Sequence, residues 1–237
     1  MAEKLTPEKI EEIGKHYENI QSGKTPILKS EKETTINAHA DVSNLMKKKE
    51  DKTILPLIPP TDPRLLMQVA TFKEDMLKDF KLKDRKELGT IMYDTMKKYG
   101  GIGLSANQVG LPYRMFVMGG HPQIEEGKVR YVFNPLINDV SKETISLTEG
   151  CLSFPFLFLL INRPKWVSVR YTNENSEEVE ETLHGMAARI FQHENEHMNG
   201  YIFTDLVSKM KLDRAKKAQA KLIKQTIRAQ QQRLLKP

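Results

Sequence analysis

The chain has 237 residues, 39% hydrophobic and 29% charged, which fits one globular domain with extensions at its ends. A single cysteine, Cys151, excludes an internal disulfide and fits a reducing compartment. The sequence contains no run of about 18 apolar residues that would form a transmembrane helix, and its acidic N-terminal residues exclude a secretory signal or a transit peptide. We therefore expect a cytoplasmic protein, with an organelle as the alternative.

The N-terminal part of the chain predicts an extension followed by the start of a core. Residues 1–53 are polar and non-periodic, apart from a short helix expected after Thr6, which can cap it. The packed core is expected to begin at ILPLIPPTDPRL, residues 54–65. DRKELGTIMYDTMKKYGG, residues 84–101, then predicts an amphipathic helix that begins after Asp84 and ends at the two glycines.

The middle of the chain predicts a series of strands and then one helix. Strand-like runs occupy residues 113–118, 129–137 and 165–172, and a return strand is expected over 177–183. The segment GMAARIFQHENEHMNG follows as a helix closed by Gly200. This order indicates an α+β fold, with small antiparallel sheets packed around a central helix.

Two further segments allow more than one interpretation. The apolar stretch FPFLFLLINRP, residues 154–164, fits either core packing or a binding groove, and its Arg163 fits either a peptide contact or a surface position. Residues 208–237 contain seven Lys, three Arg and one Asp, a net charge of +9, so the other 207 residues carry −3. This segment predicts a basic C-terminal helix, which is either simply solvated or a surface that neutralises RNA phosphates.

The helix that contains QHENEH carries the clearest chemical signal. His193 and His197 are four residues apart, so both can reach one metal ion from the same face. Glu194 is placed to act on a water molecule rather than to bind the ion. Ile190 and Met186 share the histidine face, which we therefore expect to be buried.

The third metal ligand separates several enzyme classes. No Glu or His follows His197, and Phe203 stands where a metzincin needs a histidine. A metallopeptidase would therefore have to use an aspartate downstream, which leaves Asp205 and Asp213. The candidates upstream are Cys151, His121 and His184. A binding protein with a decayed active site is a third hypothesis.

Three motifs in this order resemble the signature motifs of the peptide deformylases. They are GIGLSANQ, EGCLS and QHENEH, and the resemblance runs from about Ile54 to Leu206. It implies an N-terminal extension over 1–53, a catalytic domain over 54–207 and the basic helix over 208–237. The position that is usually Asp in this family is Glu196 here, and we expect it to support the site without binding the metal.

The resemblance implies a metal-dependent hydrolase. Cys151, His193 and His197 would hold one divalent ion, which is Fe²⁺ physiologically in this family, with Zn²⁺, Ni²⁺ or Co²⁺ able to replace it. Glu194 would accept the proton of the attacking water and return it to the departing amine.

The same resemblance assigns the substrate contacts. Gln108, through its side chain, and Leu152, through its backbone N–H, would donate to the oxyanion. Ile102, Gly103 and Glu149 would line the cleft and pair with the peptide as an added strand. The reaction would remove the formyl group from the N-terminal methionine of new polypeptides and release formate. The resemblance also implies ribosome binding through the basic helix, and we expect a monomer.

Overall fold

The computed structural model describes residues 54–79 and 81–234, so the helix predicted after Thr6 lies outside the described residues. The α-helices are α1 (Met76–Asp79), α2 (Arg85–Lys98), α3 (Gly185–Met198) and α4 (Lys209–Leu234). The strands are β1 (Gly103–Ser105), β2 (Met115–Gly119), β3 (Val129–Val140), β4 (Thr144–Cys151), β5 (Phe154–Pro164), β6 (Trp166–Thr172) and β7 (Glu178–His184). Short 3₁₀ helices cover Pro63–Leu66, Ala106–Val109, Glu125–Gly127 and Phe203–Leu206.

The strands form two antiparallel sheets, which confirms the predicted α+β fold. The larger sheet has the order β1-β2-β3-β6-β7, and β4 pairs with β5 in a separate hairpin. Helix α2 packs on one face of the larger sheet and α3 on the other. Successive residues of β2 pack on opposite faces of this sheet. Val117 belongs to the core beneath α2, whereas Phe116 and Met118 belong to the core beneath α3.

Helix α2 begins and ends where the sequence predicts. The carboxylate of Asp84 accepts a hydrogen bond from the Glu87 N–H at 2.8 Å, which caps the first turn. Gly100 follows the helix with a φ of 73°, a conformation that glycine adopts without strain. The buried Thr95 hydroxyl accepts from the Leu55 N–H at 3.0 Å, and this bond attaches the start of the described core to α2.

Of the seven strands among the described residues, the sequence predicts four and misses three. The predicted runs correspond to β2, β3, β6 and β7 with shifts of one to three residues. Strand β1 has only 3 residues and starts with glycine, so it shows too little alternation to be recognised. Strands β4 and β5 form the missing hairpin, which contains Cys151 and the apolar stretch.

The apolar stretch FPFLFLLINRP, which forms β5, contributes only one of its two faces to the core. Leu157, Leu159 and Ile161 are buried, whereas Phe158 and Leu160 are 49% and 60% exposed. The expectation of core packing therefore holds for alternate residues, because β5 has one face against the protein and one face against solvent.

The burial expected for Met186 is wrong. Ile190 is 5% exposed, but Met186 is 40% exposed. Met186 lies in the first turn of α3, where nothing lies within 4 Å of a Cβ built on the neighbouring Gly185. Ala187 and Ala188 in the same turn are 2% and 0% exposed, so Met186 lies on the side of that turn that faces away from the core.

Helix α4 lies against the β4–β5 hairpin. Leu212 and Ala215 pack on the buried face of β5, and the Gln219 side chain donates to the Pro155 carbonyl oxygen at 2.8 Å. The basic side chains of α4 up to Arg228 are exposed. Within the part of the chain that the structure describes, none of the helices is long and apolar enough to span a membrane.

A charged cluster joins β3 to β7 across β6. Arg130 donates to both carboxylate oxygens of Glu181, at 2.7 and 2.9 Å, and the Tyr171 hydroxyl donates to the same carboxylate at 2.8 Å. Burial alone would raise the pKa of Glu181, but the bonds from Arg130 and Tyr171 and the positive charges of Arg130 and Lys128 lower it to about 2. The ionised form is therefore the stable one in the folded protein.

We expect Glu181→Gln to lower the free energy of unfolding at pH 7 by about 1–3 kcal/mol, since it removes one of the two carboxylates that pair with the buried Arg130, the other being Glu125. The folded pKa lies below the value of an unfolded glutamate, so this stabilisation is present above about pH 4.5 and is lost as the pH falls towards 2. Urea denaturation at pH 7 and pH 3 measures both effects. The exposed neighbour Glu180→Gln is the control, and an equal change in the two variants would contradict the prediction.

Candidate active site

Helix α3 brings two histidines and a glutamate to one buried place. His193 and His197 are 8% and 1% exposed, and their ring centroids are 5.2 Å apart. Glu194, between them in sequence, is 4% exposed. These polar side chains are buried because α3 runs between the larger sheet and the β4–β5 hairpin, so their chemistry takes place away from bulk water.

Cys151 ends β4 directly beside the histidines. Its Sγ atom lies 3.3 Å from Nε2 of His197, and the ligand atoms of Cys151, His193 and His197 all lie within 4.8 Å of one another. In a tetrahedral site with zinc-like bond lengths, neighbouring ligand atoms are roughly 3.3–3.6 Å apart. One thiol and two imidazoles at these separations fit a single divalent ion with room for one further ligand.

The pKa values of the two imidazoles are shifted in opposite directions. Burial, together with the charges of His193 and Arg163, lowers the pKa of His197 well below its ordinary value, so this ring is neutral. Burial would also lower the pKa of His193, but the bonds to Cys151 and Glu149 raise it well above its ordinary value. A metal ion bound to His193 would therefore displace the proton that this ring holds.

The other candidate ligands do not join this cluster. Within residues 54–79 and 81–234, the group of three His, Cys, Asp or Glu side chains that could hold an ion is Cys151, His193 and His197. His184 is exposed at the start of α3, and Asp205 and Asp213 are exposed near and on α4. The geometry therefore favours the cysteine site over a metallopeptidase site with an aspartate ligand.

Glu149 fixes the orientation of His193. Its Oε2 atom lies 3.2 Å from Nδ1 of His193, which leaves Nε2 of that ring for a metal ion. Burial would raise the pKa of Glu149, but the bonds from His193 and Arg163 and their positive charges lower it to about 2. The sequence predicted a cleft role for Glu149, and the structure places its side chain in a buried ion network, so only its backbone can face a cleft.

Arg163 explains the unusual Glu196. Arg163 is 3% exposed and donates to Glu149 at 2.6 and 3.0 Å and to Glu196 at 2.5 and 2.9 Å. Both expectations for Arg163, a peptide contact and a surface position, are therefore wrong, because its charge is neutralised inside the protein. Glu196 supports the site through Arg163 and does not approach the metal-binding cluster.

A second buried arginine completes this network. Arg189 donates to Oε1 of Glu149 at 2.5 Å and to the carbonyl oxygens of Ile161 and Ile145 at 3.1 and 2.6 Å. It therefore attaches α3 to both strands of the hairpin. Arg189 was not among the predicted site residues, although a charged residue four positions before His193 on the histidine side of a buried helix is a usable signal.

Glu194 lies against β1. Its Oε2 atom accepts a hydrogen bond from the Ser105 hydroxyl at 2.6 Å. A side chain at Gly103 would overlap its Oε1 atom, so glycine is required for this close approach. Burial raises the pKa of Glu194 above its ordinary value, although the positive charge of His193 and the bond from Ser105 oppose the rise. A raised pKa suits a carboxylate that takes and returns a proton.

Gln108 and Leu152 lie on the other side of the thiol. The Gln108 Nε2 atom is 3.4 Å from the Cys151 sulfur and 3.0 Å from the Ser153 hydroxyl oxygen. Leu152 directly follows Cys151, and its side chain would come within 2.7 Å of a Cβ at Gly101. The structure therefore brings the predicted metal ligands, the glutamate and the amide donor into one site.

The open edge of β1 adjoins this site. Strand β1 is the first strand of the larger sheet, so one of its edges has no neighbouring strand among the described residues. Ile102 precedes it, and the Ile102 carbonyl oxygen accepts from the Gly119 N–H at 2.9 Å on the paired side. Gly103 faces Glu194. A peptide could add to this edge within reach of Cys151.

Fold and site together define an α+β protein whose central helix carries a Cys/His₂ group able to hold a metal ion. A model of the family described as polypeptide deformylase matches residues 58–213. The peptide deformylase of Thermotoga petrophila is 48% identical over 120 residues, which cover 51% of this chain and 70% of that protein. The chain therefore belongs to the polypeptide deformylase family, and it is an enzyme of that family.

Solved structures agree with this assignment. Peptide deformylase from Ehrlichia chaffeensis in complex with actinonin is similar with a TM-score of 0.62 and 35% identity, covering 71% of this chain and 97% of that one. A class I type b peptide deformylase from Acinetobacter baumannii, bound to Met-Ala-Ser, is similar with a TM-score of 0.60 and 28% identity. That likeness covers 66% of this chain and 100% of that one.

We expect Glu149→Gln to weaken metal binding roughly 10- to 100-fold, because His193 loses the carboxylate that orients its ring. Competition with a chelator, followed by metal analysis of folded protein, measures the affinity. Glu143→Gln is the matched control, since Glu143 pairs with Lys165 at the surface at 2.7 Å. Unchanged affinity in Glu149→Gln would contradict the role given to this carboxylate.

Proposed function

We propose that this enzyme removes the formyl group from N-formyl-methionyl peptides in a metal-dependent hydrolysis that releases formate. The observation that carries the proposal is the convergence of Glu194 and Gln108 on the Cys151, His193 and His197 cluster. Membership of the deformylase family supports the same reaction. The buried position of the cluster suits a small acyl group.

We infer that Cys151, His193 and His197 hold one divalent ion. When bound, such an ion supplies Lewis-acid chemistry, since it makes water more acidic and polarises a carbonyl oxygen. Thiolate and imidazole ligands suit Fe²⁺, Zn²⁺, Ni²⁺ and Co²⁺, and we keep Fe²⁺ as the proposed physiological ion.

Glu194 is the proposed general base and acid. Its Oε2 atom is occupied by the Ser105 hydroxyl, so Oε1 is the oxygen left to accept the proton of the attacking water. The same carboxyl group then returns the proton to the nitrogen of the departing methionine. Burial favours this cycle, because it raises the pKa of the carboxyl group towards the working pH.

Gln108 and Leu152 are the proposed oxyanion donors. The Gln108 amide presents its N–H₂ group beside the Cys151 sulfur, where the formyl carbon would be attacked. The backbone N–H of Leu152, the residue after Cys151, would supply the second donor. Negative charge on the formyl oxygen is stabilised only as the transition state forms, so these bonds accelerate the reaction.

The peptide is proposed to bind as an added strand along β1. The backbones of Ile102 and Gly103 offer the open edge, and Glu149 offers its backbone from β4. A peptide with the sequence Met-Ala-Ser occupies the similar Acinetobacter baumannii protein, which supports methionine as the first residue of the substrate. Main-chain pairing provides affinity without demanding a particular later sequence.

We expect Glu194→Gln to reduce formate release from formyl-Met-Ala-Ser by at least about 100-fold, since the proton acceptor is lost while the shape of the side chain is kept. Gln108→Ala should reduce it roughly 100- to 1,000-fold. The assay uses anaerobically purified protein with its metal content measured, and Glu180→Gln as the control. Equal activity in Glu194→Gln and wild type would refute the proposed mechanism, and cleavage of unformylated peptides would favour a metallopeptidase.

The ribosome is a proposed partner through α4. The exposed lysines and arginines of this helix form a positive surface, while Leu212 and Ala215 attach the helix to the hairpin. Neutralising RNA phosphates with such a surface gives salt-sensitive binding. Binding to the ribosome would place the enzyme close to newly made polypeptides, which are its proposed substrates.

We expect charge reversal of Lys216, Lys217, Lys221 and Lys224 to glutamate to weaken ribosome binding at least about tenfold and to flatten its salt dependence. Activity on formyl-Met-Ala-Ser should stay unchanged, because these side chains face solvent. The control reverses four exposed lysines outside α4, namely Lys73, Lys78, Lys83 and Lys86. Equal loss of binding in both variants would indicate a general charge effect and remove the case for α4.

We propose a cytoplasmic monomer that consists of an extension over 1–53, a catalytic domain over 54–207 and a C-terminal helix over 208–237. Leu55 and Leu57 are already buried in the core, and α4 begins at Lys209. Both observations support these domain boundaries.

A further inference from the structure

Ser105 contacts two groups to which we give catalytic roles. It ends β1, is 0% exposed, and precedes the 3₁₀ helix Ala106–Val109. Its hydroxyl oxygen lies 2.6 Å from Oε2 of Glu194 and 3.1 Å from the Glu194 backbone oxygen. A hydroxyl has one proton to donate, and the carboxylate is both the nearer and the stronger acceptor. The hydroxyl therefore holds one oxygen of the base.

The backbone of Ser105 holds the second group. Its N–H donates to Oε1 of Gln108 at 2.8 Å. A backbone N–H can only donate, so this bond fixes which end of the Gln108 amide faces Ser105. The N–H₂ end must then point the other way, where it lies 3.4 Å from the Cys151 sulfur. The orientation needed for an oxyanion donor is therefore set by the Ser105 N–H at one end of the amide and by the Ser153 hydroxyl, 3.0 Å from Nε2, at the other.

The spacing along β1 explains why Ser105 reaches Glu194. Residues two apart in a strand face the same side, so Gly103 and Ser105 both face α3. A Cβ at Gly103 would overlap Oε1 of Glu194 and would lie 2.8 Å from Cγ2 of Ile190. The carboxylate thus lies in a cradle, with Oε1 in the space that Gly103 leaves and Oε2 on the Ser105 hydroxyl. Without the hydroxyl, the carboxylate could rotate about its last bond.

We propose that Ser105 is a positioning residue for the deformylation reaction, which holds the base through its hydroxyl and orients the oxyanion donor through its backbone N–H. It acts through Glu194 and Gln108, so the inference rests on the proposed function. The two contacts can be separated, because every residue except proline keeps the backbone N–H. Ser105→Ala therefore removes the hold on Glu194 and leaves the orientation of Gln108 intact.

The test compares kcat and KM for formyl-Met-Ala-Ser in metal-loaded wild type and Ser105→Ala, with metal content and melting temperature measured on the same samples. We expect kcat to fall about tenfold or more, as for loss of a hydrogen bond to a charged group, while KM changes less than about twofold. Metal content should be unchanged, since the hydrogen bonds of Ser105 to Gln108 and Glu194 involve none of the three proposed ligands.

Two comparisons separate positioning from general stability. Ser141→Ala removes a similar buried hydroxyl, which donates to the Glu143 carbonyl oxygen at 2.6 Å outside the site, and it should lower the melting temperature without changing kcat. In a Glu194→Asp background the shorter carboxylate cannot reach Ser105, so Ser105→Ala should have no further effect on kcat.

Different results would overturn the role of Ser105 and the proposed function of the enzyme. Unchanged kcat in Ser105→Ala, an equal loss in Ser141→Ala, or the same fold loss in the Glu194→Asp background would overturn the role of Ser105. Inactive wild type, or full activity in Glu194→Gln, would instead overturn the proposed function itself.

Discussion

The site depends on the hydrogen bonds that the buried carboxylate of Glu149 accepts. It accepts hydrogen bonds from Arg163 and Arg189 and lies 3.2 Å from Nδ1 of His193. A buried charge is tolerated only when it is paired and hydrogen-bonded, so these partners cannot separate without leaving a charge unpaired. Glu149 belongs to β4, whereas Arg189 and His193 belong to α3. The network therefore fixes the hairpin to the helix and sets where Cys151, two residues after Glu149, meets the histidines.

The same network of buried charges gives Glu149, Glu194 and Glu196 different roles. Glu149 and Glu196 both pair with Arg163, and this pairing occupies their carboxylates. Glu194 has no arginine partner among the described residues, and its buried position raises the pKa of its carboxyl group. One carboxylate is thus left able to exchange a proton, while its neighbours hold the framework. The longer acid at position 196 fits this scheme, because its task is to reach Arg163 rather than a metal ion.

The strand β1 has a role that its three residues do not suggest. Gly103 makes room for Glu194, Ser105 donates to it, and the Ser105 N–H orients Gln108. The edge of the same strand is open for a peptide. The proposed substrate, base and oxyanion donor therefore all contact one strand, and a common support of this kind favours a productive geometry.

Local patterns in the sequence determined the elements and the chemistry of the site. The cap at Asp84, the alternation in β6 and the spacing of His193 and His197 each depend on residues close in the chain, and each prediction agrees with the structure. The choice of Cys151 as third ligand came from the ordered motifs. Such motifs preserve the chemistry of a family even where a single residue, such as Glu196, differs.

Tertiary structure alone decided the partners of the buried charges. Arg163 could be assigned to the surface or to a peptide from sequence, because its partner carboxylates lie 14 and 33 residues away. Met186 was expected to be buried from its helical spacing, yet it lies on the side of the first turn of α3 that faces away from the core and is 40% exposed. The contact between Ser105 and Glu194 spans 89 residues. Pairings over such distances depend on how the sheet, the hairpin and α3 pack together, and one-dimensional periodicity does not contain that information.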